Sequence, residues 1–311
     1  MRDRKVSYFY FARAHSASLF FRAICVLFSL AFSVSFAAAQ SNVDEGLPPG
    51  WQQWAADCGK TGQRDACYNE GLRHFWGAEG APVDKAKAAH YFIIACKYND
   101  IDVCRQAIKI TRDEIQHVQL YGKALDAGCL LGELSFCHEA FQFYSGYGKF
   151  KKFSAATVKA AFNPNLALAY ANAACQKGSV FGCTRLGRAF NADPEQNLKG
   201  IKPDSAKSMD GYMQACRLGS KEGCFFAFYA SSGEDGAPVN VAVREAAMQI
   251  GCDKRSRELC EAGAQTYLMG EKQSSIDEVK GMEFMEKACH LYFTDDVTRN
   301  NCGAAAYYLE K

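Results

Sequence analysis

The sequence predicts an all-α protein, an α/α solenoid of about seven helical hairpins, each bridged by a disulfide. Three observations predict it. Fourteen of the fifteen cysteines follow residue 50 and fall into seven neighbouring pairs. Five of those pairs share one spacing, with seven residues between partners. From Cys96 onward the first cysteines of successive pairs are 33, 46, 41, 36 and 37 residues apart, the period of stacked helical hairpins. The repetition is visible in the residues: GAPVDKAKAAHYFIIAC (Gly80–Cys96) and GAPVNVAVREAAMQIGC (Gly236–Cys252) place a cysteine at the same distance from a shared GAPV.

Residues 1–39 read as an export signal. Arg2, Arg4, Lys5, Arg13 and Arg22 stand against Asp3, a net +4, and lead into the apolar run AICVLFSLAFSVSFAAA. Ala37 and Ala39 fit the small-x-small rule, so Gln40 begins the mature chain on this reading. A mitochondrial presequence and an uncleaved anchor are the alternatives. The expected organisation is a signal peptide over 1–39, a short linker over 40–50 and a cysteine-rich solenoid over 51–311. No stable membrane span is expected once the signal is cleaved. Of a total charge of +2, the signal holds +4 and leaves about −2. That balance offers no basic excess for phosphates and argues against nucleic acid as a partner. Apolar residues make up 49% and charged residues 23%, enough to bury a core.

The expected disulfides are Cys58–Cys67, Cys96–Cys104, Cys129–Cys137, Cys175–Cys183, Cys216–Cys224, Cys252–Cys260 and Cys289–Cys302. An even, regularly paired set in an exported chain is a disulfide framework. Zinc is the rival, but its paired ligands prefer shorter spacings and no C-x-x-C occurs. Within each hairpin an Asp or Asn precedes the first helix as a cap: Asp84, Asn165, Asp204, Asn240 and Asp277. Ala86, Ala89, Ile93 and Cys96 step by three, four and three, one face of a helix. Gly132, Gly178 and Gly219 each follow a first cysteine by three residues and suit a left-handed C-cap. Small residues and then aromatics follow the second cysteine. Gly77, Gly146, Gly233 and Gly270 close second helices.

Departures from the pattern lie at the ends and in the middle. Trp51 and Trp54 are expected to cover the amino-terminal end of the stack. The extended connection between Cys137 and Cys175 carries Lys149, Lys151 and Lys152, read here as a solvated basic loop. The last pair has a longer insert, as expected of a terminal repeat.

Segments such as ANAACQKGSVFGC (Ala171–Cys183) and YMQACRLGSKEGC (Tyr212–Cys224) resemble the disulfide-bridged Sel1-like repeats (SLR). More specifically, they resemble the Helicobacter cysteine-rich proteins, a subset of the tetratricopeptide-like solenoids. The resemblance covers about residues 51–311. It implies a superhelix with one bridge per repeat and a protein-binding scaffold. Some cysteine-rich members are described as penicillin-binding or as slow β-lactam hydrolases, so the resemblance also implies a test for that chemistry.

A serine β-lactamase needs S-x-x-K and a K-T-G strand. No S-x-x-K occurs. Lys60-Thr61-Gly62 and Tyr170-Ala171-Asn172 match fragments of that vocabulary, but in reversed order and in hairpin settings, and are read as chance. There is no G-x-S-x-G and no H-E-x-x-H. The histidines after the signal, His74, His90, His117, His138 and His290, show no ligand spacing. No catalytic residue, metal or cofactor is therefore expected. The expected role is an exported, periplasmic or secreted scaffold that binds a protein or peptide along the first helices. Lys87, His90, Lys207, Asp210 and Gln214 are the candidate groove residues. The alternatives are a weak β-lactam hydrolase and a mitochondrial intermembrane-space assembly factor.

Overall fold

In the computed structural model the described residues are 58, 64–148, 150–233, 239–270 and 274–292. All fall in the compact unit Gly46–Lys311. The expected signal over 1–39, the linker over 40–50, Trp51, Trp54, Lys60–Gly62, Lys149 and Cys302 lie outside them. So, with Cys302, does the expected Cys289–Cys302 pairing.

Among the described residues the chain is built from thirteen α-helices and contains no strand. They run α1 (Arg64–Trp76), α2 (Lys85–Cys96), α3 (Ile101–Lys109), α4 (Val118–Leu130), α5 (Leu134–Ser145), α6 (Ala155–Ala161) and α7 (Pro164–Gln176). They continue as α8 (Val180–Ala189), α9 (Ser205–Arg217), α10 (Lys221–Ala230), α11 (Val241–Asp253), α12 (Arg257–Met269) and α13 (Glu278–Tyr292). A π-helical turn, Ile110–Glu114, extends α3. Five complete hairpins result: α2/α3, α4/α5, α7/α8, α9/α10 and α11/α12. Helix α1 and helix α13 flank them.

Each hairpin is made by the same local chemistry. The residue three after the first cysteine is left-handed in all five: Asn99, Gly132, Gly178, Gly219 and Arg255, with φ of 71°, 98°, 82°, 95° and 64°. Its N–H donates to the carbonyl of the first cysteine, from 2.8 Å at Gly219 to 3.1 Å at Asn99, which satisfies an orphan carbonyl of the finishing helix. The next residue caps the second helix. Asp100, Ser179 and Ser220 accept backbone N–H groups of the first turn through their side chains. This tight reversal leaves the two cysteine Cα atoms 4.4–4.9 Å apart, and six disulfides join Cys58–Cys67 and the pairs of the five hairpins.

The cap of every first helix lies twelve residues before its cysteine. Asp84, Asp204 and Asn240 each accept a hydrogen bond from the third residue onward, and Asp277 accepts from Lys280 N at 3.0 Å. The same register falls on His117, whose Nδ1 accepts from Leu120 N at 3.4 Å, and on Asn163, which accepts from Leu166 N at 3.0 Å. The cap expected at Asn165 is thus corrected to Asn163. Pro164 occupies the first helical position, where its missing N–H costs nothing, and Asn165 sits exposed inside the first turn.

A second joint links one hairpin to the next. The carbonyl seven residues beyond each second cysteine accepts the N–H of the following cap. The pairs are His74–Asp84, Thr111–His117, Tyr144–Asn163, Phe190–Asp204, Ser231–Asn240 and Tyr267–Asp277, at 2.8–3.0 Å. The connections between these fixed points differ in length, but the joint does not.

The core forms where the hairpins stack. Each helix packs on the next in order, with α5 passing directly to α7. First helices also touch one another, as α2 on α4, α7 on α9, α9 on α11 and α11 on α13, so their side is the tighter edge of the stack. Within a hairpin the residues preceding the two cysteines are matched in size. Gly182 faces Ala174 and Gly223 faces Ala215, and a Cβ on either glycine would meet that alanine at 2.6–2.7 Å. In two other hairpins the sizes are exchanged: Phe136 covers Gly128 and Leu259 covers Gly251. Tyr121, Tyr170 and Tyr212 are wholly buried between hairpins.

Candidate functional site

The five candidate groove residues divide between two hairpins that are not neighbours. Lys87 and His90 lie on α2; Lys207, Asp210 and Gln214 lie on α9. The structure brings the second group together. Its spacing of three and four places these side chains on one exposed stripe of α9. His90 does not belong with them, because it is 2% exposed. The connection from Thr111 to His117 is the shortest of the six joints between hairpins, and the π-helical turn Ile110–Glu114 packs across α2 there. Lys85 Nζ pairs with Glu114 at 2.8 Å on the same seam. His90 is therefore a core residue, and Lys87 is half-buried.

On the α9 stripe, Lys207 Nζ lies 3.1 Å from the Asp204 carboxylate and 5.1 Å above the Phe190 ring. The backbone N–H of Lys207, and then its side chain, hold the Asp204 carboxyl below its usual range. Asp210 is exposed. Gln214 reaches the preceding hairpin, with its amide 2.9 Å from Cys175 Sγ. The stripe can offer hydrogen bonds and charges of both signs, but it holds no nucleophile with a base beside it.

Other polar groups tie helices together within and between hairpins. Tyr121 donates to the Glu139 carboxylate, and Arg112 bridges Glu139 at 3.1 Å and Asp113 at 3.0 Å. The bond from Arg112 lowers the Asp113 carboxyl, and burial raises the Tyr121 phenol. His138 Nε2 lies 2.6 Å from Ser179 Oγ, joining α5 to the cap of α8. Burial lowers the pKa of His138 and of His117. Tyr170, of the fragment Tyr170–Asn172, stacks on Tyr144 in the core at 5.6 Å. Among the described residues no three His, Cys, Asp or Glu side chains could hold a metal, and no helix is long and apolar enough to cross a membrane.

Sequence reasoning missed two concavities, one at each of the two longest connections. The larger, about 650 Å³, lies between residues 146–162 and Lys199. The smaller, about 340 Å³, lies beside residues 191–196 and is lined by Asp193, Ser208, Phe225 and Tyr229. The signal for the larger was present in FKKF (Phe150–Phe153), where aromatics flank the lysines that were read only as a solvated loop.

No protein-family model matches the chain, and no curated protein matches it in sequence. Solved structures do. A Sel1 repeat protein from Oxalobacter formigenes is 12% identical, over 73% of this chain and 85% of that one, with a TM-score of 0.36. A protective antigen of uropathogenic Escherichia coli displaying an SLR fold is 15% identical, with a TM-score of 0.33. The match covers 77% of this chain but only 56% of that one. An immunity protein from Pseudomonas aeruginosa is 15% identical, over 72% of this chain and 82% of that one, with a TM-score of 0.31.

Proposed function

We propose that the chain is an exported, disulfide-stapled scaffold that binds a protein or peptide along its first helices, without catalysis of its own. The observation that carries this reading is the regular stack of bridged hairpins, whose first helices pack on one another from α2 to α4 and again from α7 to α13 along one side of the stack. Such an edge offers an extended ligand many small contacts in series. On this reading Lys87, Lys207, Asp210 and Gln214 contribute to the contact surface, and His90 supports it from beneath.

The disulfides support the export part of this reading. Disulfides persist in oxidising compartments, and six of them join buried or nearly buried sulfurs here. Residues 1–39 would be the cleaved signal, 40–50 a linker and 51–311 the repeat unit, with Cys289–Cys302 as the last bridge. The periplasm or the exterior would be its compartment.

The test is site-specific photocrosslinking in the producing cell. A photoreactive residue at Asp210, on the first-helix edge, is expected to capture a defined partner. The same residue at Glu222, exposed on α10, is expected to capture none. Adducts from neither position, or equally from both, would overturn the assignment of the binding edge. Amino-terminal sequencing of the exported chain is expected to begin at Gln40.

A further inference from the structure

We infer that the cavity between α5 and α7 binds a small amphiphilic anion, a molecule with an apolar tail and one anionic head group. The inference stands independently of the scaffold reading.

The repeat grammar does not require this cavity. A connection of eighteen residues separates Tyr144 from its partner Asn163, and most of it builds walls. Phe150, Phe153, Val158 and Phe162 line the interior. The walls are anchored rather than loose. The Phe153 ring lies 5.1 Å from Tyr121, and the Phe150 ring lies 5.3 Å from Phe143. Both partners are wholly buried core residues. Helix α6, which carries Val158, packs on α4 and α5. On the far side Tyr147 donates to the Asn197 carbonyl at 3.3 Å, which brings the connection holding Lys199 up to the rim. The volume of about 650 Å³ falls within the roughly 300–1,000 Å³ of small-molecule sites.

The rim is cationic and uncompensated. Among the described residues Lys151, Lys159 and Lys199 line the cavity and no acidic residue does. None of the three is paired with a carboxylate among the described residues, and all three are exposed. Elsewhere on the same stack comparable lysines are paired: Lys85 with Glu114, Lys207 with Asp204 and Lys287 with Asp253. An apolar interior with three free ammonium groups at its mouth selects for a tail that leaves water and a head group that stays at the opening and carries negative charge. The same rim disfavours the apolar run of residues 23–39 as occupant, because that run belongs to a leader of net +4.

The probe is dodecanoate, kept below its micelle concentration and titrated calorimetrically into the full oxidised chain. Saturable one-to-one binding is expected, with binding much weaker for dodecanol and for dodecyltrimethylammonium. Val158→Glu, which places a carboxylate in the wall, is expected to abolish it. Replacing Lys151, Lys159 and Lys199 together by Ala is expected to weaken it about tenfold, as the sum of three exposed charge contacts. Circular dichroism shows whether each variant retains its helices. Because Val158→Glu can fail to fold, a diazirine-bearing dodecanoate is also crosslinked to the unaltered chain, and the label is expected on residues 146–162 or on the peptide holding Lys199. Several results would overturn the inference: no binding, equal binding of the cationic analogue, or a label elsewhere. Binding confined to phosphatidylglycerol vesicles, with none to the monomeric probe, would do the same.

Discussion

Gly211→Ala tests a close backbone-to-backbone approach in the stack. Gly211 on α9 faces Gly187 on α8, and a methyl there would sit 2.8 Å from Gly187 Cα and 3.1 Å from the Cys183 carbonyl oxygen. It would be closer still to the Gly187 amide nitrogen. Ordinary contact begins near 3.4 Å, so the helices must separate by at least about 0.6 Å, the difference between 3.4 and 2.8. The opposing atoms are backbone, and α8 is held near its start by Cys175–Cys183, so no side chain can swing away. Overpacking of this kind costs about 1–3 kcal/mol. Separation also weakens the buried bond from Ser208 Oγ to the Gly187 carbonyl, 2.9 Å long, a further ~1 kcal/mol. Helix propensity returns about 1 kcal/mol for Gly→Ala. The net expectation is a loss of about 1–3 kcal/mol, read as a lower urea midpoint of the oxidised protein by far-UV circular dichroism. Gly187→Ala, whose methyl would meet the buried Tyr212 ring at 2.6 Å, is expected to cost a similar amount. The double variant is expected to cost less than the sum by at least about 0.5 kcal/mol, because the first methyl already parts the helices. An unchanged or raised midpoint for Gly211→Ala, or strict additivity, would refute the backbone contact.

Four further expectations follow from the same geometry. Replacing Cys216 and Cys224 together by Ala should lower stability by about 2.5 kcal/mol, the entropy of closing so short a loop, measured as a reduced urea midpoint with the remaining bridges intact by mass spectrometry. Asn163→Ala should cost about 1 kcal/mol, whereas Asn165→Ala should stay within about 0.5 kcal/mol; reversal of that order in chemical denaturation would return the cap to Asn165. Arg255→Gly should stabilise by about 1 kcal/mol, since it relieves a left-handed conformation that costs a side-chain-bearing residue about that much, and thermal melting reads the gain. Burial holds His74, His117 and His138 below the usual histidine value of about 6.5. The unfolded chain then binds protons more readily than the folded one, so stability is full above that value and falls as pH drops from it toward the depressed folded values. His117→Asn should keep the cap and flatten part of that slope in urea titrations between pH 7 and 5; an unaltered slope would remove His117 from the account.

The cysteine spacing made the hairpins legible, because a left-handed residue and a helix cap fill the seven intervening positions the same way each time. Gly132, Gly178 and Gly219 announced this turn. Asn99 is the commonest substitute for glycine in the left-handed region and marks the same turn more weakly, whereas Arg255 fills the position without announcing it. Asn163 was legible in principle, through the proline that follows it and the twelve-residue register. His117 was not, because histidine seldom serves as a cap. The burial of His90 depends on how short the Thr111–His117 connection is and on what it drapes across, a contact between elements that helical periodicity does not encode. The large cavity was legible only as the aromatic, basic segment FKKF, and its position was not, for a related reason. Phe150 and Phe153 find Tyr121 and Phe143 across the fold, and a basic, aromatic stretch of sequence does not reveal which distant rings will receive it.

The constant joint between hairpins separates the geometry of the stack from the length of chain that spans it. The span ranges from six residues after Thr111 to nineteen after Tyr144, and by polymer statistics that threefold difference costs only about 1 kcal/mol of closure entropy. Insertions at these sites are therefore nearly neutral for the stack. Each one is a place where descent, or an engineer, can graft new surface while the hairpins on either side keep their register.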